Sequence, residues 1–375
     1  MANSCRDDFS NEDCQSPGAE CEADADPATV AAASGLAHFI SAGVNSAATI
    51  MGVEEELCHL KRDIGVQVNT WTEGRRQLIT ISTVKDEQAL LVLTGISSLE
   101  LFYNIANLFT DARRKQSKRS FSLSNEDVIL LVFTKLYHNV SFSLLAVLFD
   151  VHRTTASSIF KEAIVLLASV LGRAIYWPDK DHVTACLTKH FYKYRMTRVV
   201  LDCTEIAIER PKDLPSQILT YSIYKKTYTA KILICTTPGG LISYVSRAYG
   251  GRTCDTHITR ESEVLTKCEP HIDKVIVDRG FLIEDLCYEH GLEMIRPPFL
   301  GQKKQLSPGD AKRNASIASA RVHVERSIQR IKRFKILHQR FPLDLLAYLN
   351  SIVTTLAGIV NISKPLFADD KYLFP

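Results

Sequence analysis

The sequence predicts a mixed α/β sheet domain preceded by an all-helical helix-turn-helix unit and an acidic, disordered N-terminal tail. Three observations predict this. Apolar spacing is helical through 97–171, then switches near 198 to short apolar runs of strand type. The charge is unevenly divided along the chain. Residues 1–60 hold one basic residue, Arg6, and eleven acidic ones, a net of −10; the whole chain carries +3, so residues 61–375 carry +13. A basic body behind an acidic head points to a polyanionic partner.

Composition narrows the class. At 375 residues, 46% apolar and 23% charged, the chain has the make-up of a globular protein of more than one domain. Its ten cysteines are scattered, and none forms a C-x-x-C pair. That argues against a zinc module or a disulfide scaffold and for a reducing compartment. The acidic N-terminus does not read as a signal or transit peptide. The uncharged run 28–53 is dominated by Ala, Ser and Gly, too weakly apolar for a membrane span. The apolar stretch 345–362 contains Asn350, Thr354, Thr355 and Asn361 and reads as a packed helix.

The elements follow in order. Residues 1–52 read as a disordered acidic and Ala-rich tail, and 53–120 as a helical segment with a basic linker. Within the latter, 53–68 and 97–109 carry helical spacing, the second capped by Ser97 or Ser98. The run 111–120 (DARRKQSKRS) reads as a solvated loop, a phosphate-contacting arm or a nuclear import signal. Residues 121–175 hold the helix-turn-helix: Ser124 ahead of NEDVILLVFTKLYH, a stop at Asn139, Ser141 ahead of FSLLAVLF, a break at 150–152, then a long helix over 153–171. Arg153, Thr154, Thr155, Ser157 and Ser158 open that helix. They are the short polar side chains that a major-groove reader presents to DNA. From 198, strands are predicted at 198–208, 230–236, 241–249 and 274–277, with helix at 283–290 and 312–338.

Two of the strands carry an aspartate at or beside their ends, in Val-Val-Leu-Asp202 and Val-Ile-Val-Asp278. A lone Asp there usually caps a turn. Two on neighbouring strands would repel unless a cation lay between them, and hard oxygen donors suit Mg²⁺ or Mn²⁺. Glu325 lies on the shoulder of the stripe Val324, Ile328, Ile331, about 100° around the helix from Val324. Arg326, Arg330 and Arg333 form a basic arc on the same helix. Spacing alone leaves both readings open for each carboxylate, metal ligand or surface charge. Glu205, three residues past Asp202, falls on the opposite strand face and reads as structural. Asp255 is divided between turn capping and site support. Lys225 and Lys231 are divided between phosphate contact and a solvated strand face. His323 lies about 200° around the helix from Glu325 and is not expected to be a ligand.

Five blocks together resemble the DDE transposases of the PIF/Harbinger type: LDCTEIAIERP (201–211), YSIYKKTYTAK (221–231), AYGGRTCDTHITRES (248–262), VDRGF (277–281) and RVHVERSIQRIKRFKIL (321–337). The segment before them, 124–160, resembles the helix-turn-helix domain of that family. The resemblance implies an RNase H-like catalytic domain over 195–365, with Asp202, Asp278 and Glu325 as the catalytic and metal-binding triad. It further implies Mg²⁺- or Mn²⁺-dependent cutting and joining of DNA ends in the nucleus, a separate Myb-like DNA-binding partner, and room for a homo-oligomer. Cys254 stands where the family often has Ser, and Tyr194-Arg195-Met196-Thr197 where Tyr-Pro is usual. The alternative is a host-captured DNA-binding protein that keeps the fold as a scaffold and does not cut.

Overall fold

The computed structural model describes residues 77–116, 121–299, 305–365 and 372–373. The expected acidic tail, the 53–68 helix and residues 117–120 of the basic run lie outside them.

Helices form where the sequence supplies caps. The first, α1 (Glu87–Thr94), is capped by Asp86 and was not expected. The second, α2 (Leu99–Lys115), is capped by Ser98 and runs six residues further than expected. The first half of the basic run is therefore its last turn. There Arg113 donates to Asn125 Oδ1 at 2.6 Å and lies over the Phe121 ring, while Arg114 and Lys115 face solvent.

The helix-turn-helix forms as α3 (Asn125–His138), α4 (Phe142–Phe149) and α5 (Arg153–Leu171). Ser124 and Ser141 each accept a backbone N–H of the first turn, and Asn139 and Asp150 close their helices in the left-handed region. Asn and Asp tolerate that conformation better than other non-glycine residues.

After a short α6 (Lys180–Ala185) the chain enters the sheet. It comprises β1 (Thr197–Ala207), β2 (Tyr221–Ser222), β3 (Thr227–Thr236), β4 (Ile242–Val245), β5 (Tyr249–Gly250), β6 (Lys274–Ile276) and β7 (Glu293–Ile295). Strand order is β2-β3-β1-β6-β7, with β4 and β5 also pairing β3. The β1–β3 pair is antiparallel, whereas β1–β6 and β6–β7 are parallel, so the sheet is mixed as expected. The single strand expected over 241–249 is broken into β4 and β5. At the break the Ser246 hydroxyl accepts Leu233 N–H and the Asn350 side chain accepts Ala248 N–H.

Three helices lie between strands: α7 (Leu214–Thr220), α8 (Asp255–Ser262) and α9 (Glu284–Glu289). The C-terminal region is helical, with α10 (Pro308–Lys332) capped by Ser307, then α11 (Lys335–His338) and α12 (Leu349–Ile362).

Strand alternation sorts the core into two layers. Val200, Ile206, Ile232 and Ile234 join one cluster that continues through Val324 and Ile328 of α10, Leu356 of α12, and the helix-turn-helix. Val199, Leu201, Leu233 and Cys235 face the other layer, with α8 and α9. By length and composition the stretches Arg153–Ala174 and Leu343–Ile362 could each cross a membrane. Here they pack against one another. The two asparagines of the second stretch have specific partners: Asn350 accepts Ala248 N–H, and Asn361 accepts Ile242 N–H and donates to the Ala174 and Ile242 carbonyls.

That contact depends on one small residue. A Cβ on Gly358 would lie 2.3 Å from the Leu171 carbonyl oxygen, a backbone atom that cannot move aside. Gly358→Ala is therefore expected to cost about 1–3 kcal/mol through overpacking. A chemical denaturation midpoint measures this; an unchanged midpoint would contradict the close approach.

Candidate active site

Asp202 lies on β1, on the strand face turned toward α10. The parallel β1–β6 register ends with Val200 paired to Ile276, so Asp202, two residues further along β1, and Asp278, two residues past the end of β6, both lie just beyond that pair. This is the neighbouring-strand condition that the two aspartates needed. Asp278 follows the end of β6 in a turn, where its Oδ1 accepts Arg279 N–H at 2.6 Å. On α10, Val324, Ile328 and Ile331 are buried against the sheet, while the Glu325 side chain is 46% exposed.

One side chain links these carboxylates. Arg321, one helical turn before Glu325, places Nη1 2.9 Å from Asp278 Oδ1 and Nη2 3.6 Å from Glu325 Oε1. Asp202 feels the same charges. Burial pushes its carboxyl up to about 6, Arg321 opposes that rise, and the charges of Asp278, Asp255 and Glu325 add to it. The three expected residues therefore share one electrostatic neighbourhood. Among the described residues, no three His, Cys, Asp or Glu side chains stand close enough together to hold a metal ion as they are. The chemistry of the donors fits a hard divalent cation: hard oxygens from a strand, the turn after its neighbour and a helix, with a net negative charge that one guanidinium only partly offsets.

The opposite face of β1 carries a different cluster. Glu205 pairs across the strands with Lys231, as alternation requires. Lys231 Nζ lies 3.2 Å from Asp255 Oδ1 and 4.0 Å from Glu205 Oε1, and donates to the Thr253 carbonyl at 2.9 Å. Neither expectation for Lys231 holds: its side chain is 13% exposed and neutralises two carboxylates. Asp255 is the first residue of α8 and its side chain pairs with Lys231 in this ion cluster.

Of the expected DNA-contacting residues, Arg153, Thr154 and Ser158 are exposed at the start of α5, and Thr155 and Ser157 are half-buried. Thr154 also shares a 2.8 Å hydrogen bond with His152, whose ring caps the helix. On α10 and just beyond it, Arg326 and Arg333 are exposed. Arg330 instead donates to the Lys364 carbonyl at 2.9 Å, and burial beside Arg333 lowers its pKa. The His323 side chain lies outside the described positions.

Sequence reasoning missed Arg321 and Lys332. The available signal for Arg321 was its four-residue spacing from Glu325. Lys332 donates to the Glu205 carbonyl at 3.3 Å, and its pKa is lowered by burial and by Lys225.

Comparison with known proteins agrees with this layout. Residues 201–361 match the family described as DDE superfamily endonuclease, and residues 121–173 match the helix-turn-helix of DDE superfamily endonuclease. No curated protein and no solved structure matches the chain.

Proposed function

We propose that this chain, which carries a DDE superfamily endonuclease domain behind that superfamily's helix-turn-helix, is a metal-dependent DNA nuclease and transposase of the PIF/Harbinger type. The observation that supports the reading is that Asp202 and Asp278 each lie two residues past the Val200–Ile276 pair of neighbouring parallel strands, with Asp278 and Glu325 both within reach of the Arg321 guanidinium. In this reading Asp202, Asp278 and Glu325 hold Mg²⁺ or Mn²⁺. Metal held there would supply activation of an attacking oxygen and charge stabilisation at the leaving oxygen of a phosphodiester.

The chain's own residues do the rest. In this reading β1 carries Asp202, the turn after β6 carries Asp278, and α10, whose Val324, Ile328 and Ile331 are buried, carries Glu325. Arg153 and the hydroxyls at the start of α5 hold the duplex, with Arg326 and Arg333 adding phosphate contacts. A nuclear location follows from a substrate of genomic DNA.

Purified full-length protein with Mg²⁺ or Mn²⁺ is expected to nick element-end duplex DNA, and a chelator is expected to stop it. DNA affinity is expected to fall about tenfold or more between 50 and 200 mM salt, because phosphate contacts release counterions. Binding without cleavage in either metal would favour the scaffold reading. Affinity indifferent to salt would remove the helix-turn-helix and the arginines as the DNA-holding surface.

A further inference from the structure

We propose that Arg321 is a resident counter-cation of the Asp202–Asp278–Glu325 cluster, whose guanidinium a divalent ion must displace in order to load. The inference rests on the metal reading given above and adds a competitor to it.

Three features of the side chain argue for displacement rather than a permanent structural pair. First, its two terminal nitrogens address two of the carboxylates, at 2.9 Å to Asp278 and 3.6 Å to Glu325. A planar fork carrying one positive charge covers the oxygens that an ion would share. Second, the Arg321 side chain is 12% exposed, whereas the Asp278 and Glu325 side chains are 49% and 46% exposed. Both carboxylates are therefore open to water, from which an ion arrives, while the arginine is largely shielded from it. Third, the seat is incomplete: Arg321 Nε is buried with no hydrogen-bond partner. A fixed structural arginine normally satisfies that donor, since a buried unpaired N–H is costly.

The competition follows from charge. Two cations of the same sign cannot share one set of oxygens at contact distance without strong repulsion. Loading would move the guanidinium off Asp278 and Glu325, and unloading would return it. The protein would then carry its own neutralising charge between turnovers, which limits carboxylate repulsion when no ion is present.

The test measures metal affinity directly, apart from cleavage. Mn²⁺ binding to full-length protein is followed by electron paramagnetic resonance of the free ion, for the wild type, Arg321→Gln and Arg321→Lys. Arg321→Gln is expected to bind Mn²⁺ about tenfold more tightly than wild type, equivalent to ~1.4 kcal/mol. Without metal it is expected to melt at a lower temperature than wild type, with Mn²⁺ restoring the difference. Arg321→Lys keeps the charge but loses the fork, so it is expected to bind with intermediate affinity; it also serves as the test if the glutamine variant does not fold.

Equal or weaker Mn²⁺ binding in whichever variant folds overturns the counter-cation role while leaving the metal reading intact. Mn²⁺ binding that is absent from the wild type and both variants, or unaffected by Asp278→Asn, overturns the metal reading and this inference with it.

Discussion

Replacing Asp202 with Asn is expected to yield a folded protein whose DNA cutting falls by about a thousandfold or more. That loss corresponds to roughly 4 kcal/mol of transition-state stabilisation, the scale expected when a carboxylate ligand to a catalytic metal is lost. The accompanying stability change separates a catalytic role from a structural one. Burial and the neighbouring carboxylates push the Asp202 carboxyl up to about 6, above the ordinary value of 3.8. The folded state therefore binds more protons than the unfolded state between those values. Stability from this group is fully present below the unfolded pKa and is lost as pH rises through the folded one. At pH 7–8 without metal, the charged Asp202 is a burden of at most about 3 kcal/mol, and less because the residue is half-buried rather than sealed. Asp202→Asn removes that burden. In chelator, wild type is expected to lose stability relative to the variant as pH rises from 4 to 6, with the gap constant above 7. Thermal melts across that range measure it. A variant that cuts at the wild-type rate, or melts well below wild type at pH 8, would remove Asp202 from the site.

Local chemistry made much of this fold legible in the sequence. Ser98, Ser124 and Ser141 cap the helices they were expected to cap, because capping joins a side chain to a backbone group three residues away. Asn139 stops its helix for an equally local reason. Alternation put Glu205 on the face opposite Asp202, and the mixed parallel and antiparallel sheet followed from the order of strands and helices. The helix α8 was not legible, since its sequence DTHITRES carries too little apolar spacing to signal one. Strand β7 was missed because Glu293-Met294-Ile295 lacks the β-branched apolar run that marks the equally short β6, and its pairing with β6 is set by the crossover through α9. For the proposed site, the sequence offered Asp202, Asp278 and Glu325 as candidates, and only the parallel register of β1 with β6 shows that the first two come from neighbouring strands. The matches to a DDE superfamily endonuclease and its helix-turn-helix cover the segments where these carboxylates and the predicted three-helix unit lie. Arg321 escaped notice because a basic residue on a basic helix looks like every other one until its partners are known.

Lys231 shows the same limit most sharply and sets the second large effect. Lys231→Met is expected to destabilise the protein by about 3–5 kcal/mol, the cost of removing one member of a buried ion cluster and leaving the others unpaired. Burial pulls the Lys231 pKa down, but Asp255 and Glu205 outweigh it and hold the ammonium above its ordinary value. The cluster is closed on its other side: Glu205 accepts the Thr229 hydroxyl at 2.7 Å, and the Lys231 ammonium also serves the Thr253 carbonyl. Methionine fills most of the same volume, so the loss is of charge more than of packing. If the cost arises from stranded carboxylates, neutralising them should recover it. The triple variant Lys231→Met, Glu205→Gln, Asp255→Asn is expected to regain much of the lost stability, as buried ion pairs replaced as a set often do. Lys231 lies on the strand face away from Asp202 and is nearly enclosed, so the salt dependence of DNA binding should be the same in Lys231→Met as in wild type under conditions where both are folded. A shallower salt slope in the variant, with stability unchanged, would return Lys231 to the phosphate-contacting role that its place in YSIYKKTYTAK suggested.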